Sequence, residues 1–217
     1  FKSRWFLDVN PLWQITVERS NLLQSTCDAL TGDVSKADLL ATKLQVNFKG
    51  EPGIDAGGLT RDWFDSFSKA LTEGAEEEKG HSLLTVAPDG TLAPRPSVSC
   101  SEEGNRMRLT KLVAVGRFLG LAIMQKQVLP ISFNLIFYKA LLNLEVSAAD
   151  VRRWDREFYK QRLVPLMEEG GVEAMNEMYG QPLTFVGAGT AFRAGNEVEL
   201  KPNGAQIRVT EANKKEY

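Results

Sequence analysis

Two cysteines, Cys27 and Cys100, and one histidine, His81, are the side chains that could act here as nucleophile, soft metal ligand or general base near neutral pH. Their surroundings argue against each role. There is no Cys-x-x-Cys pair and no second histidine from which to build a zinc site. Cys27 falls on the apolar stripe of a helix predicted over 17–31, where a thiol serves as a small buried hydrophobe. Cys100 lies in a polar stretch, 97–106, beside Glu102 and Glu103, whose charge raises a thiol pKa and suppresses the thiolate. His81 follows the charged run 73–80 and reads as a surface residue. Two isolated thiols suit a reducing compartment better than a disulfide framework.

The other feature with chemical potential is a glycine-rich loop within 44–71. Gly50, Gly53, Gly57 and Gly58 are free to adopt positive φ. Loops of this kind ahead of a helix often cradle phosphate on backbone N–H groups. This one lacks Gly-Lys-Ser/Thr and carries Glu51 and Asp55, which would repel phosphate. It reads as a tight strand-to-helix connection. Leu44, Val46 and Phe48 alternate with polar residues, as in a half-buried strand. Leu59, Trp63, Phe67 and Leu71 then recur at helical spacing. Thr60 is the expected N-cap, with Asp62 in the first turn.

The elements around this loop are mainly helical. Trp5, Phe6, Leu7, Leu12 and Trp13 make an aromatic terminus expected to dock on a core. Gly32 ends the 17–31 helix, and Ser35 with Asp38 opens a short one. A hairpin is predicted around Asp89-Gly90, its second strand ended by Pro94 and Pro96. Residues 107–126 form the most apolar helix, with Leu109, Leu112, Val113, Gly116, Leu119, Gly120, Ile123 and Met124 on its expected packing face. Gly116 and Gly120 lie one turn apart, which permits close approach of another backbone. Arg117 needs a partner there, and Glu51 or Asp55 is the expected one; the alternative is that its stem reaches solvent. Residues 132–143 are apolar nearly all round and should be central. Ser147 and Asp150 open the next helix, which Pro165 kinks or ends. At the end, LTFV should pair with VEL, VELKPNGAQIRVT should fold as a hairpin, and Thr210 should cap a helix.

The bulk composition excludes little beyond extremes. The 217 residues can bury a full core, and 26 basic against 28 acidic residues demand no nucleic-acid partner. The longest apolar run, 112–124, contains Arg117 and is too short to span a bilayer.

Three stretches, in order, resemble the HECT domain of one class of ubiquitin ligases. The first is GEPGIDAGGLTRDWF, through Glu51, Asp55, Gly57, Gly58 and Arg61; the family usually has Glu where this chain has Asp62. VERSNLLQSTCDAL is similar to the family's opening helix in Arg19 and its paired leucines. The second is VGRFLGLAI followed by LPISFNLIFYKALL, through Gly116, Arg117, Gly120, Ala122, Leu129, Phe133, Tyr138, Leu141 and Leu142. The third is LTF…VELKPNGAQIRVTEANKKEY.

The resemblance implies a mainly helical α+β fold with small antiparallel hairpins. It implies that residues 1–217 are a partial HECT domain, the large subdomain of its N-lobe. The E2-binding subdomain and the cysteine-bearing C-lobe would then lie elsewhere in the parent protein, with the catalytic cysteine beyond Tyr217. No Leu-Pro-x-x-His-Thr-Cys occurs, and Cys27 and Cys100 match no catalytic position of the family. The implied partners are an E2 ubiquitin-conjugating enzyme, ubiquitin and protein substrates, in cytosol or nucleus, with no cofactor. Some family members bind a further ubiquitin on the N-lobe through a pair of tyrosines; Gly80 and His81 stand at those positions here. Such an exosite would use Leu83 and Leu84 as its apolar floor. A non-catalytic, HECT-like interaction module is the alternative implied activity.

Overall fold

A computed structural model describes residues 12–41, 43–52, 57–76, 82–95, 102–187 and 198–217. The chain divides into two compact units, one within residues 1–84 and 102–131, the other within 85–101 and 132–217. Trp5, Phe6 and Leu7 of the aromatic terminus, and Asp55, His81 and Cys100, lie outside the described residues.

The first unit is built on a two-stranded parallel sheet. Strand β1 (Leu12–Val17) pairs with β2 (Lys43–Phe48) in register, Trp13 with Leu44, Ile15 with Val46 and Val17 with Phe48. Both strands alternate, and these six residues are their buried faces. This is the main departure from the expected antiparallel hairpins. The terminus from Leu12 onward is a strand, and Val17, assigned above to a helix, is its last residue. A parallel pair requires a crossover connection. It is supplied by a 3-10 turn (Arg19–Asn21), helix α1 (Leu22–Thr31) and short helix α2 (Lys36–Leu39). Gly32 closes α1 as predicted, and Ser35 and Asp38 form the reciprocal capping box that opens α2.

Helix α3 (Gly58–Glu76) packs on β2 and α1, and α4 (Glu102–Met124) packs on α1. Their meeting point is an aromatic cluster. Phe118 of α4 lies 5.2 Å from Trp63, 5.3 Å from Phe64 and 4.7 Å from Phe67, centroid to centroid. All four rings are fully buried. The Trp63 indole N–H donates to Thr26 Oγ1 at 3.1 Å, so its polar atom is satisfied inside the core.

Helix α4 begins at Glu102, inside the stretch read as polar and exposed, and buries a different face from the one predicted. Ala114, Val115, Phe118, Leu121 and Ala122 point inward. Leu109, Val113 and Met124 are exposed, and Ile123 is 79% exposed. Gly116 and Gly120 sit on the exposed side, where an added Cβ would meet nothing within 4 Å among the described residues. The predicted close approach of another backbone therefore does not occur there. The helix is apolar on two sides, and periodicity alone could not choose between them. The aromatic Phe118 with small alanines beside it fits the cluster.

In the second unit, strands β3 (Leu84–Val86) and β4 (Leu92–Pro94) form the expected hairpin, with Gly90 at φ +79° in its turn. The Thr91 N–H donates to Asp89 Oδ1 at 3.0 Å. The far edge of β4 meets Phe133, with Leu92 N–H donating to Ser132 O at 2.7 Å. Asn134 then caps α5 (Leu135–Leu141), accepting from the Phe137 N–H at 2.6 Å. This helix is shorter than 132–143 and less central than predicted, because Leu135, Tyr138 and Leu141 are exposed.

Ser147 and Asp150 make the predicted capping box of α6 (Ala148–Trp154). Asp155 breaks the helix with extended backbone and caps α7 (Arg156–Phe158), which runs through a π-turn (Tyr159–Leu163) into α8 (Val164–Met167). Pro165, lacking an N–H, sits just after that π-turn, the local widening that accommodates it. Helix α9 (Gly171–Tyr179) packs on α8 and receives a distant cap: Glu211 Oε1 accepts from the Val172 N–H at 2.9 Å. Gly171 is required because a Cβ there would lie 2.0 Å from the Pro165 carbonyl oxygen.

The end of the chain folds differently from two successive hairpins. Strand β5 (Val186–Gly187) pairs antiparallel with β6 (Val198–Glu199), as expected. The stretch after the Asn203-Gly204 turn does not return to β6. It pairs instead with the other side of 183–185: Thr184 bridges Arg208, and Val209 N–H donates to Leu183 O at 2.8 Å. Phe185 thus sits between two segments and, with Val172 and Val209, forms this unit's small core. Residues 211–216 make turns rather than a helix, and Asn213 Oδ1 accepts from the Thr210 N–H at 2.7 Å.

A Cβ at Gly204 would lie 2.3 Å from Phe185 O, so Gly204→Ala is expected to cost about 1–3 kcal/mol in urea unfolding. Gly120→Ala meets nothing within 4 Å and is expected to add about 0.5–1 kcal/mol through helix propensity. A large loss at Gly120 would mean that α4 has a close neighbour on that face. Asp150 accepts from Lys139 Nζ at 2.6 Å and from Ser147 N–H and Oγ–H, both at 2.7 Å. Lys139 first, then Ser147, holds this carboxyl well below its ordinary range. A lowered carboxyl pKa contributes stability above the unfolded value of about 4 and loses it as pH falls toward the folded value. Asp150→Asn should therefore lower Tm at neutral pH, and the gap from the parent chain should shrink on acidification below about pH 4. A gap that stays constant across that range would rule out the linkage.

Candidate functional site

The residues singled out around the glycine-rich loop converge on a cation that sequence reasoning noted only in passing. Arg19 stands at the turn between β1 and α1. Its Nε donates to Glu51 Oε1 at 2.6 Å and its terminal nitrogen to Glu51 Oε2 at 3.2 Å, a bidentate fork. The same terminal nitrogen donates to Asp62 Oδ2 at 2.6 Å, and the guanidinium lies 3.7 Å from the centre of the Phe48 ring. One side chain thus ties the β1–α1 turn, the end of β2, the loop and α3. Glu51 and Asp62 raise the pKa of the already permanent Arg19 cation. The signal that could have found it was two acids, at 51 and 62, beside a loop read as structural.

Thr60 is inside α3 rather than at its cap, because the helix begins at Gly58. Asp62 is correspondingly beyond the first turn, and it answers Arg19 rather than the helix dipole. Gly57 has φ +103°, which only glycine adopts without strain, and its carbonyl accepts from the Arg61 N–H at 3.3 Å. Gly58 and Arg61 are exposed.

Arg117 does not reach Glu51, which is held by Arg19. Its Nη1 donates instead to the Leu30 carbonyl. Leu30 is in the last turn of α1, where carbonyls have no intrahelical partner and the helix dipole is negative. A backbone helix end thus takes the place of Glu51 as the partner of this nitrogen. Asp55 and His81 are outside the described residues. Leu83 and Leu84 are buried, at 5% and 1% exposure, and so present no apolar floor to a partner.

None of the described groups is arranged for bond-making. Cys27 is 1% exposed, and burial pushes its thiol up to about 11, far from a reactive thiolate. An open pocket of about 410 Å³ lies beside the clamp, lined by Glu18, Arg19, Ser20 and Lys49. Its two cations already have acids: Lys49 Nζ lies 2.5 Å from Glu18 Oε1, and Arg19 is committed as above. Among the described residues no group of three or more His, Cys, Asp and Glu side chains could hold a metal ion. Nor is any described helix long and apolar enough to cross a membrane. The arrangement positions backbone.

Comparison with known proteins places this scaffold. The HECT-domain (ubiquitin-transferase) family pattern matches residues 71–217, more than half of the chain. The chain belongs to the HECT-domain family. It is similar to the E3 ubiquitin-protein ligase Nedd-4 of Drosophila melanogaster, 32% identical over 208 residues, covering 94% of this chain and 19% of that protein. The E3 ubiquitin-protein ligase UPL1 of Arabidopsis thaliana is 32% identical over 217 residues, covering 94% of this chain and 5% of its own length. The E3 ubiquitin-protein ligase HACE1 of Gallus gallus is 32% identical over 205 residues, covering 94% and 20%. The chain therefore spans a fifth or less of the length of these three relatives. Its fold is the mainly helical α+β arrangement that the resemblance implied, with the parallel β1–β2 pair as the exception.

The clamp and the helix cap can be tested by stability. Arg117→Met is expected to cost about 1–2 kcal/mol in urea unfolding. Arg19→Met should cost about 1 kcal/mol, and a double-mutant cycle with Glu51→Gln should show positive coupling that weakens in high salt. Additivity of the Arg19 and Glu51 changes would show that the fork contributes nothing.

Proposed function

We propose that this chain is the large subdomain of the N-lobe of a HECT E3 ubiquitin-protein ligase. The match to the HECT-domain family over residues 71–217 carries this reading. The complete protein would run two acyl transfers. A cysteine thiolate attacks the E2–ubiquitin thioester, forming a new thioester and releasing the E2 thiol. A substrate lysine amine then attacks that thioester, forming the isopeptide bond and freeing the cysteine. The nucleophile comes from residues outside this chain. Its sequence lacks Leu-Pro-x-x-His-Thr-Cys, and Cys27 is buried and protonated at neutral pH.

On this reading the chain works as a platform. The Arg19 clamp, the Arg117 cap and the aromatic cluster hold a rigid unit from which E2-binding and cysteine-bearing parts can move. The E2 and ubiquitin engage mainly through those other parts, and protein substrates reach the ligase in cytosol or nucleus.

The deciding experiment is a thioester assay on the parent protein and on the 217-residue chain, each incubated with E2-linked ubiquitin and run with and without reductant. The expected result is a reductant-sensitive adduct on the parent and none on the chain. An adduct on the chain that disappears in Cys27→Ala or Cys100→Ala would overturn the platform reading. No adduct on the parent across a broad E2 panel would favour a non-catalytic HECT-like interaction module.

A further inference from the structure

Residues 211–217 are tied to the second unit through side chains. Their own backbone bonds stay local: the Asn213 N–H donates to Thr210 O at 3.1 Å, the Glu216 N–H to Asn213 O at 3.0 Å and the Tyr217 N–H to Asn213 O at 3.4 Å. Among the described residues, the segment makes no backbone–backbone hydrogen bond to any other element. The residues just before it differ, since Arg208 bridges Thr184 and the Val209 N–H donates to Leu183 O at 2.8 Å.

The side-chain anchors are unequal. Glu211 Oε1 accepts from the Val172 N–H at 2.9 Å, in the first turn of α9, and Glu211 Oε2 lies 2.6 Å from Lys214 Nζ. Lys214 Nζ also donates to the Glu168 carbonyl oxygen at 2.5 Å, and that carbonyl accepts from the Gly171 N–H at 3.1 Å. The segment, the start of α9 and the 168–171 turn thus close a ring through one ammonium group. The Lys214 side chain is 14% exposed, so solvent screens this ring little. The other ionic anchor, Lys201 to Glu216 at 2.7 Å, involves a Glu216 side chain that is 61% exposed, and such pairs contribute little. The last anchor is apolar: the Tyr217 ring stands edge-on to buried Phe185 at 5.5 Å.

We infer that residues 211–217 are a strap that opens as one piece, with Lys214 as its latch. Opening breaks no strand pairing, so it costs less than unfolding the unit. Without Lys214 the Glu211 carboxylate has no cation and turns to water, which leaves the Val172 N–H without its acceptor. The same movement lifts Tyr217 off Phe185. Val209 stays paired with Leu183, so the small core of Val172, Phe185 and Val209 keeps its sheet contacts. The device is a coupling between the strap and the first turn of α9, and it does not depend on ubiquitin transfer.

The test is residue-resolved native-state hydrogen exchange on the full 217-residue chain. The amides of Val172, Asn213 and Glu216 should share one opening and exchange faster than the amide of Val209. Lys214→Met should speed all three by a common factor of about ten or more and leave Val209 unchanged. Glu211→Ala breaks the ring from the other side. It should speed Asn213 and Glu216 to the same extent, and adding Lys214→Met should bring no further change. Lys201→Met should have the smaller effect of an exposed pair. The proposal is overturned if Lys214→Met leaves the Val172 amide protected, or if Val209 speeds up in step, which would mean that the whole unit unfolds. It is overturned too if the Glu211 and Lys214 changes are additive, or if Lys201→Met acts as strongly as Lys214→Met.

Discussion

The first unit depends on the parallel pairing of Leu12–Val17 with Lys43–Phe48. An isolated two-stranded sheet is marginal in water, and a parallel one cannot be closed by a tight turn. The residues between the strands must therefore rise, cross and return, and α1 with α2 is that crossover. The inward faces of both strands must also be covered, which brings α3 against β2 and α1 against β1. Once α1 is in place, its last-turn carbonyls need a donor, and α4 supplies one in Arg117. The turn into α1 brings Arg19 over Phe48 and between Glu51 and Asp62. The polar clamp is thus a consequence of where the strands place their ends.

The readable parts of the sequence were those decided locally. Capping at Ser35 and Ser147, the stop at Gly32 and the turn at Asp89-Gly90 depend on a few neighbouring residues, and each formed where expected. Strand β1 was misread although Trp13, Ile15 and Val17 alternate with Leu12, Gln14 and Thr16. Its outward residue Leu12 is apolar, which blurs the period, and its pairing partner lies 31 residues away. The buried face of α4 was misassigned because both sides are apolar. Shape decided it: Phe118 fills the space beside Trp63, Phe64 and Phe67, and the alanines flanking it let α4 approach. At the C-terminal end, Phe185 hydrogen-bonds to both neighbouring segments, so a pairwise hairpin reading could not place 207–209.

Of the candidate site, the residue types were legible and their partners were not. Arg117 was recognised as a charge that needs an answer, but a helix-terminal carbonyl leaves no mark in sequence. Glu51 was recognised as part of a structural loop, yet its cation comes from 32 residues earlier. Both cases show the same physics. Arginine carries five donors in a fixed fork, so it can satisfy backbone or carboxylate alike, and only tertiary placement selects between them.

That placement separates two uses of positive charge in this chain. Arg19, Arg117 and Lys139 are consumed in holding backbone: a turn, a helix end and a capping box. Lys214 does the same, lying 2.6 Å from Glu211, the acid that caps α9. Among the described residues, Arg152, Arg153, Arg156 and Lys160 have no side-chain hydrogen bond or ion pair, and Arg152 and Arg153 stand in the last turn of α6, where the helix dipole favours cations. Removing them would leave no described backbone group without its partner. The described thiol shows the complementary case. Cys27 is held so far inside the scaffold that burial suppresses its thiolate.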